Sequence, residues 1–62
     1  MSRQEIEVEC DIVRETDDAI LLLIDDNEIW FPLSQIKRIV RGNSYDLITM
    51  TAWIAEQKGI DV

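Results

Sequence analysis

Polar and apolar residues alternate without a break at the start of the chain. Ile6, Val8, Cys10 and Ile12 fall on one side of an extended backbone, and Glu5, Glu7, Glu9 and Asp11 fall on the other. This predicts a half-buried strand over residues 4–14 in an antiparallel sheet. Val13 breaks the alternation by landing on the acidic side, so either the strand bends or bulges there or that end of the face is covered. Glu15-Thr16-Asp17-Asp18 reads as a turn. The run Ala19 to Ile24 (AILLLI) is apolar throughout and is bounded by acidic turns. Its short length favours a strand over a helix, and its lack of alternation predicts a central strand covered on both faces. Asp25-Asp26-Asn27-Glu28 forms the next turn, with Asn27 the candidate for a left-handed conformation. Ile29-Trp30-Phe31 is a third strand, stopped by Pro32, which has no N–H to give to a ladder.

Beyond Pro32, Ser34 is placed to cap a single helical turn over Gln35 and Ile36. Lys37 to Arg41 predicts a fourth strand, Gly42-Asn43-Ser44 a turn, and Tyr45 to Thr49 a fifth strand. A short helix is expected from about Met50 to Lys58, with Thr49 or Thr51 as N-cap and Met50, Trp53 and Ile54 as its apolar face. Gly59 suits the left-handed position that ends a helix, and Ile60 is placed to fold back on Ile54 or Ala55. A helix this short needs a sheet to dock on. The fold class that follows is mainly β: a small curled antiparallel sheet or SH3-like barrel of about five strands with one short C-terminal helix.

Length bounds this picture. The 62 residues make a single domain with a thin core. Such chains need disulfides, a metal, self-association or very good packing. Cys10 is the only cysteine and there is no histidine, which excludes an internal disulfide and the usual zinc set. Met1-Ser2-Arg3-Gln4-Glu5 does not read as a signal peptide, and the longest apolar run is too short to cross a bilayer. A cytoplasmic protein is expected, with Cys10 as reduced core.

Charge changes the picture most. Thirteen acidic residues against six basic ones give a formal charge of −7. Such a chain is repelled by phosphate backbones and anionic membranes, and its electrostatic complement is a basic protein surface. Catalysis is not expected. The ordinary general base is missing, and neither Ser34 nor Cys10 has an activating partner. Asp25-Asp26-Asn27-Glu28 offers oxygen ligands, but the EF-hand spacing fails, since the twelfth position counted from Asp25 is Ile36. No cofactor is expected.

Two constellations remain. The row Glu5, Glu7, Glu9 and Asp11 sets carboxylates roughly 6–7 Å apart along one strand face. With Asp25, Asp26 and Glu28 it is the candidate partner-binding surface, a ruler of negative charge that fits a basic groove. The plain alternative is a solvated strand face that guards an edge against aggregation. The other constellation joins Trp30, Phe31 and Tyr45 with Lys37, Arg38 and Arg41, residue types that stack bases and bind phosphates in small barrels. Core packing and internal ion pairs are the competing explanation, and the overall field opposes nucleic acid.

Trp30-Phe31-Pro32-Leu33-Ser34-Gln35-Ile36 resembles a Trp-x-Pro-x-Ser-Gln-Ile element, and Thr51 to Ile60 resembles a Trp-[Leu/Ile]-Ala-Glu-x-Lys-Gly ending. With Val13-Arg14-Glu15-Thr16-Asp17, these stretches are similar to short proteins of bacteriophage and mobile-element genomes. The resemblance covers about half the chain, and those proteins often carry proline where Thr51 stands here. It implies an accessory protein that binds and redirects a host protein in the host cytoplasm. Known classes include inhibitors of CRISPR effectors and other DNA-directed defence systems, some of them DNA mimics. The alternatives left open are an oligomeric small barrel that binds single-stranded nucleic acid and a structural homo-oligomer.

Overall fold

A computed structural model describes residues 4–60. The start Met1-Ser2-Arg3, read above as no signal peptide, lies outside the described residues. The chain forms β1 (Glu5–Glu15), β2 (Ala19–Ile24), β3 (Asn27–Pro32), a 3-10 turn (Leu33–Gln35), β4 (Ile36–Val40), β5 (Asp46–Thr51) and α1 (Ala52–Gln57). All five strands are antiparallel neighbours in one sheet of order β3-β2-β1-β5-β4. The small β-rich fold with a C-terminal helix that the sequence predicts is therefore present.

β1 is the organising strand because it changes partners along its length. Glu5 to Cys10 pair with Thr51 to Asp46 of β5, and Asp11 to Glu15 pair with Leu23 to Ile20 of β2. The switch is accompanied by a bulge between Ile12 and Arg14, where Val13 is the extra residue. A bulge bends its strand and raises the local twist, which curls the sheet around its apolar face. Val13 is left 46% exposed, so of the two alternatives the bulge holds and the covered face does not.

The inner face carries the core. Ile20, Leu22, Phe31, Ile48 and Met50 are fully buried, with Val8, Cys10, Ile24, Ile54 and Ala55 closing around them. Each large apolar side chain so buried is worth about 1.5–3 kcal/mol, the main favourable term in a domain without cross-links. No buried side-chain polar atom among the described residues lacks a hydrogen-bond partner.

Several local expectations are corrected. β2 is central, but only Ile20, Leu22 and Ile24 are buried. Ala19, Leu21 and Leu23 are half-buried on the outer face, because nothing among the described residues packs over it. Left-handed backbone falls on Asp25 (φ 51°) and Asp26 (φ 69°), not on Asn27, which opens β3 opposite Ile24. A two-residue hairpin needs both central residues at positive φ to match strand twist. Ser34 caps nothing; it lies inside the turn that begins after Pro32.

The helix is shorter than expected. Met50 belongs to β5, paired with Ile6 and Ile36, and Thr51 is the N-cap, accepting from Ile54 N at 3.2 Å. The same Thr51 hydroxyl donates to Gln35 Oε1 at 2.8 Å, tying the helix start to the 3-10 turn. α1 buries Ile54 and Ala55, whereas Trp53 is 58% exposed and not part of the apolar face. Gly59, at φ 77°, ends the helix; Gly59 N donates to Glu56 O and Ile60 N to Ala55 O. That pair of bonds is a Schellman motif, and it folds Ile60 onto the core as the sequence predicts.

Candidate functional site

The acidic residues of the first strand and of the β2–β3 hairpin meet on one surface. Glu5, Glu7 and Glu9 stand on the outer face of β1, opposite Thr51, Thr49 and Leu47 of β5. Asp11, next in the row, lies opposite Leu23 of β2, and Leu23 lies opposite Glu28 of β3. Asp11, Leu23 and Glu28 thus form one cross-strand row, with a half-buried leucine between two exposed carboxylates.

The hairpin turn brings the rest. Because β2 pairs with β1 only from Asp11 onward, the turn after Ile24 swings beside the amino-terminal half of β1. An open groove there is lined by Glu7, Glu9, Asp25, Asn27 and Glu28, with Lys58 from the helix end as its one cation among the described residues. A second shallow hollow is lined by Glu9, Asp11, Leu23, Asp25, Asp26 and Tyr45. Glu9 and Asp25 belong to both, so the acidic surface is continuous from the groove across to the hairpin tip. Six of the seven acidic candidates line these two depressions. Glu5 does not; it begins the strand beside Thr51.

Among the described residues no cation forms an ion pair with these carboxylates. Among the described residues the single ion pair is Arg41 with Glu15, at the far end of β1. Nor do the acids converge on a point: no three His, Cys, Asp or Glu among the described residues are grouped so as to hold a metal ion. Spread carboxylates on a curved strand face present a field to a broad cationic surface rather than a cage to an ion.

The aromatic and basic candidates occupy different strands and different settings. Phe31 is wholly buried in the core. Trp30 is 42% exposed on β3, opposite Leu21, while Arg38 sits on β4 opposite Thr49, and Lys37 occupies an irregularity between Ile36 and Arg38. β3 and β4 are the two ends of the strand order, and no ladder joins them. Arg41 is committed to Glu15, and Tyr45 sits against the acidic hollow instead of beside the cations.

Cys10 is a free, buried thiol facing the core. Burial, reinforced by the nearby Asp46 and Asp11 carboxylates, pushes its pKa up to about 11. It is therefore a protonated apolar filler.

Sequence reasoning missed Leu23 and Tyr45 as members of the acidic surface and Lys58 as its cation. Tyr45 had a signal, an aromatic next to a turn, but its position depends on the Gly42–Tyr45 loop that carries it to β1. No protein-family model, no curated protein and no solved structure matches the chain. No helix among the described residues is long and apolar enough to cross a membrane.

Proposed function

We propose that this domain is a protein-binding module whose acidic surface, formed by Glu7, Glu9 and Asp11 with Asp25, Asp26 and Glu28, engages a basic surface of a host protein. The observation that carries it is the convergence of two acidic segments, separate in sequence, around two adjoining depressions, with no ion pair to their carboxylates among the described residues. Keeping like charges close costs stability, and a cationic partner offsets that cost. The basic surface that best fits a row of carboxylates at strand spacing is one that ordinarily holds a nucleic-acid backbone. The resemblance to bacteriophage and mobile-element proteins supports the same direction: an accessory protein in the host cytoplasm that occupies the nucleic-acid site of a defence enzyme. Reversing Glu7 and Glu9 to Lys tests it. Capture of the partner from host lysate falls at least about tenfold, nucleic acid competes for the same partner, and the circular dichroism spectrum stays unchanged. Capture that survives both reversals in a folded variant overturns the proposal.

A second reading, self-association, is supported by a different observation. Val13, Leu21, Leu23 and Trp30 leave an apolar strip on the outer face of β1, β2 and β3. Light scattering at rising concentration decides it. A concentration-dependent dimer that Leu21→Lys abolishes supports self-association, and a monomer throughout refutes it.

A further inference from the structure

We propose that the open edge of β1 beside Glu7 and Glu9 is a strand-addition site for an extended basic segment of the partner. The proposal rests on the acidic-surface function above and names the way the partner docks.

The backbone geometry leads to it. In a strand the N–H and C=O of one residue point to the same side, and successive residues alternate sides. Ile12 N points to β5, where it donates to Asp46 Oδ2 at 3.1 Å. Gln4 O also points that way, accepting from Ala52 N at 2.9 Å. Ile6, Val8 and Cys10 share this parity and direct their peptide groups to β5. Glu7, Glu9 and Asp11 direct theirs to the opposite side. Asp11 meets Leu23 of β2 there, but β2 ends at Ile24, and no strand among the described residues pairs with that side of Glu7 or Glu9. Their N–H and C=O groups face the groove.

That edge has a floor and a charge. Ile24, Ile29 and Ile60 line the groove with Val8, and Glu7, Glu9, Asp25 and Glu28 surround it, with Lys58 the one cation among the described residues. A strand laid along β1 sets its alternate side chains opposite the Glu7 and Glu9 carboxylates, and the residues between them over the isoleucines. The matching segment therefore alternates Lys or Arg with an aliphatic residue. A second copy of this chain does not fit. Edge-to-edge pairing of two copies sets the glutamates of one β1 against those of the other, the arrangement that charged edges use to prevent self-pairing. The same charge that blocks a copy selects a cationic strand, and main-chain bonds then add to the attraction.

A synthetic peptide of alternating Arg and Val, titrated into isotope-labelled protein, tests this. Amide exchange at Glu7 and Glu9 slows about tenfold or more on binding, while that of Val8, already turned to β5, does not change. An analogue with Glu in place of Arg does not bind, and the Glu7→Gln/Glu9→Gln protein, which keeps both amides, binds the Arg peptide about tenfold more weakly. Peptide binding without protection of the Glu7 and Glu9 amides overturns strand addition while leaving a side-chain-only acidic surface in place. Absence of peptide binding to the native protein also overturns it. Loss of the acidic-surface function itself is read separately, from partner capture that is insensitive to the Lys reversals.

Discussion

Asp46 extends the β1–β5 ladder past its last backbone pair by hydrogen bonding Ile12. The ladder closes at Cys10 opposite Asp46, and Ile12 N then donates to Asp46 Oδ2 at 3.1 Å while Gly42 N donates to Oδ1 at 3.1 Å. One carboxylate therefore secures the point where β1 leaves β5 for β2 and anchors the loop that holds Tyr45. The exposed face of the bend depends on a side chain beneath it.

Replacing Asp46 with Ala leaves the part-buried Ile12 N–H without a partner. The expected loss is about 1–3 kcal/mol, seen as a lower denaturant midpoint at unchanged slope. Asp46→Asn keeps one acceptor oxygen and loses less. A midpoint unchanged in both variants contradicts the assigned role.

Cys10 makes a pH prediction with a definite sign. The thiol's folded pKa of about 11 lies above its ordinary 9.0. The folded state therefore holds the proton when the unfolded state has begun to lose it. The thiol's contribution to stability is complete below about pH 9 and is lost as pH rises toward about 11. Cys10→Ala removes that decline. At pH 8 the native thiol reacts with an aromatic disulfide reagent more slowly than in denaturant, since the thiolate is the reacting form and burial suppresses it. Equal rates place the thiol in solvent.

What the sequence made legible was local. The alternation from Ile6 to Ile12 located β1 and its buried side, and Val13's misplacement located the bulge. Gly59 marked the end of α1 through its backbone freedom, while Thr51 was one of two N-cap candidates beside Thr49. The errors arose where distant partners decided. Met50 looked helical, yet pairing with Ile6 and Ile36 makes it strand. Leu21 and Leu23 looked buried because the run AILLLI has no polar alternation, but nothing among the described residues covers them. The seven acidic candidates were identifiable individually. The meeting of six of them around two adjoining depressions depends on β1 outrunning β2, which only the strand pairing reveals.

The two glycines are required for different reasons, and their alanine variants separate them. A Cβ at Gly42 stands 2.4 Å from the Tyr45 carbonyl oxygen, a backbone atom that cannot move without disturbing the Asp46 anchor. Gly59 meets nothing within 4 Å, and its demand is the φ of 77°. Gly59→Ala therefore costs about 1 kcal/mol in backbone conformation alone, while Gly42→Ala costs about 2 kcal/mol or more through overpacking. Thermal unfolding of the two variants checks the order, and Gly59→Ala as the worse of the pair reverses the explanation.

The β2–β3 hairpin holds its acids at a conformational cost. Asp25 and Asp26 occupy left-handed backbone at φ 51° and 69°, positions where Asn and Gly are preferred. The Asn27 side chain donates to Asp25 O at 3.2 Å and helps hold the turn. Replacing Asp25 with Asn and Asp26 with Gly is expected to stabilise the domain by about 1 kcal/mol, or about 4–8 °C in melting temperature for a chain this small. The same change removes two carboxylates from the hollow shared with Glu9 and Asp11, so partner capture falls as stability rises. Opposite movement of the two measurements identifies the aspartates as binding groups retained against the preference of the turn. A stabilised variant with undiminished capture removes Asp25 and Asp26 from the binding surface and leaves it to the β1 row and Glu28.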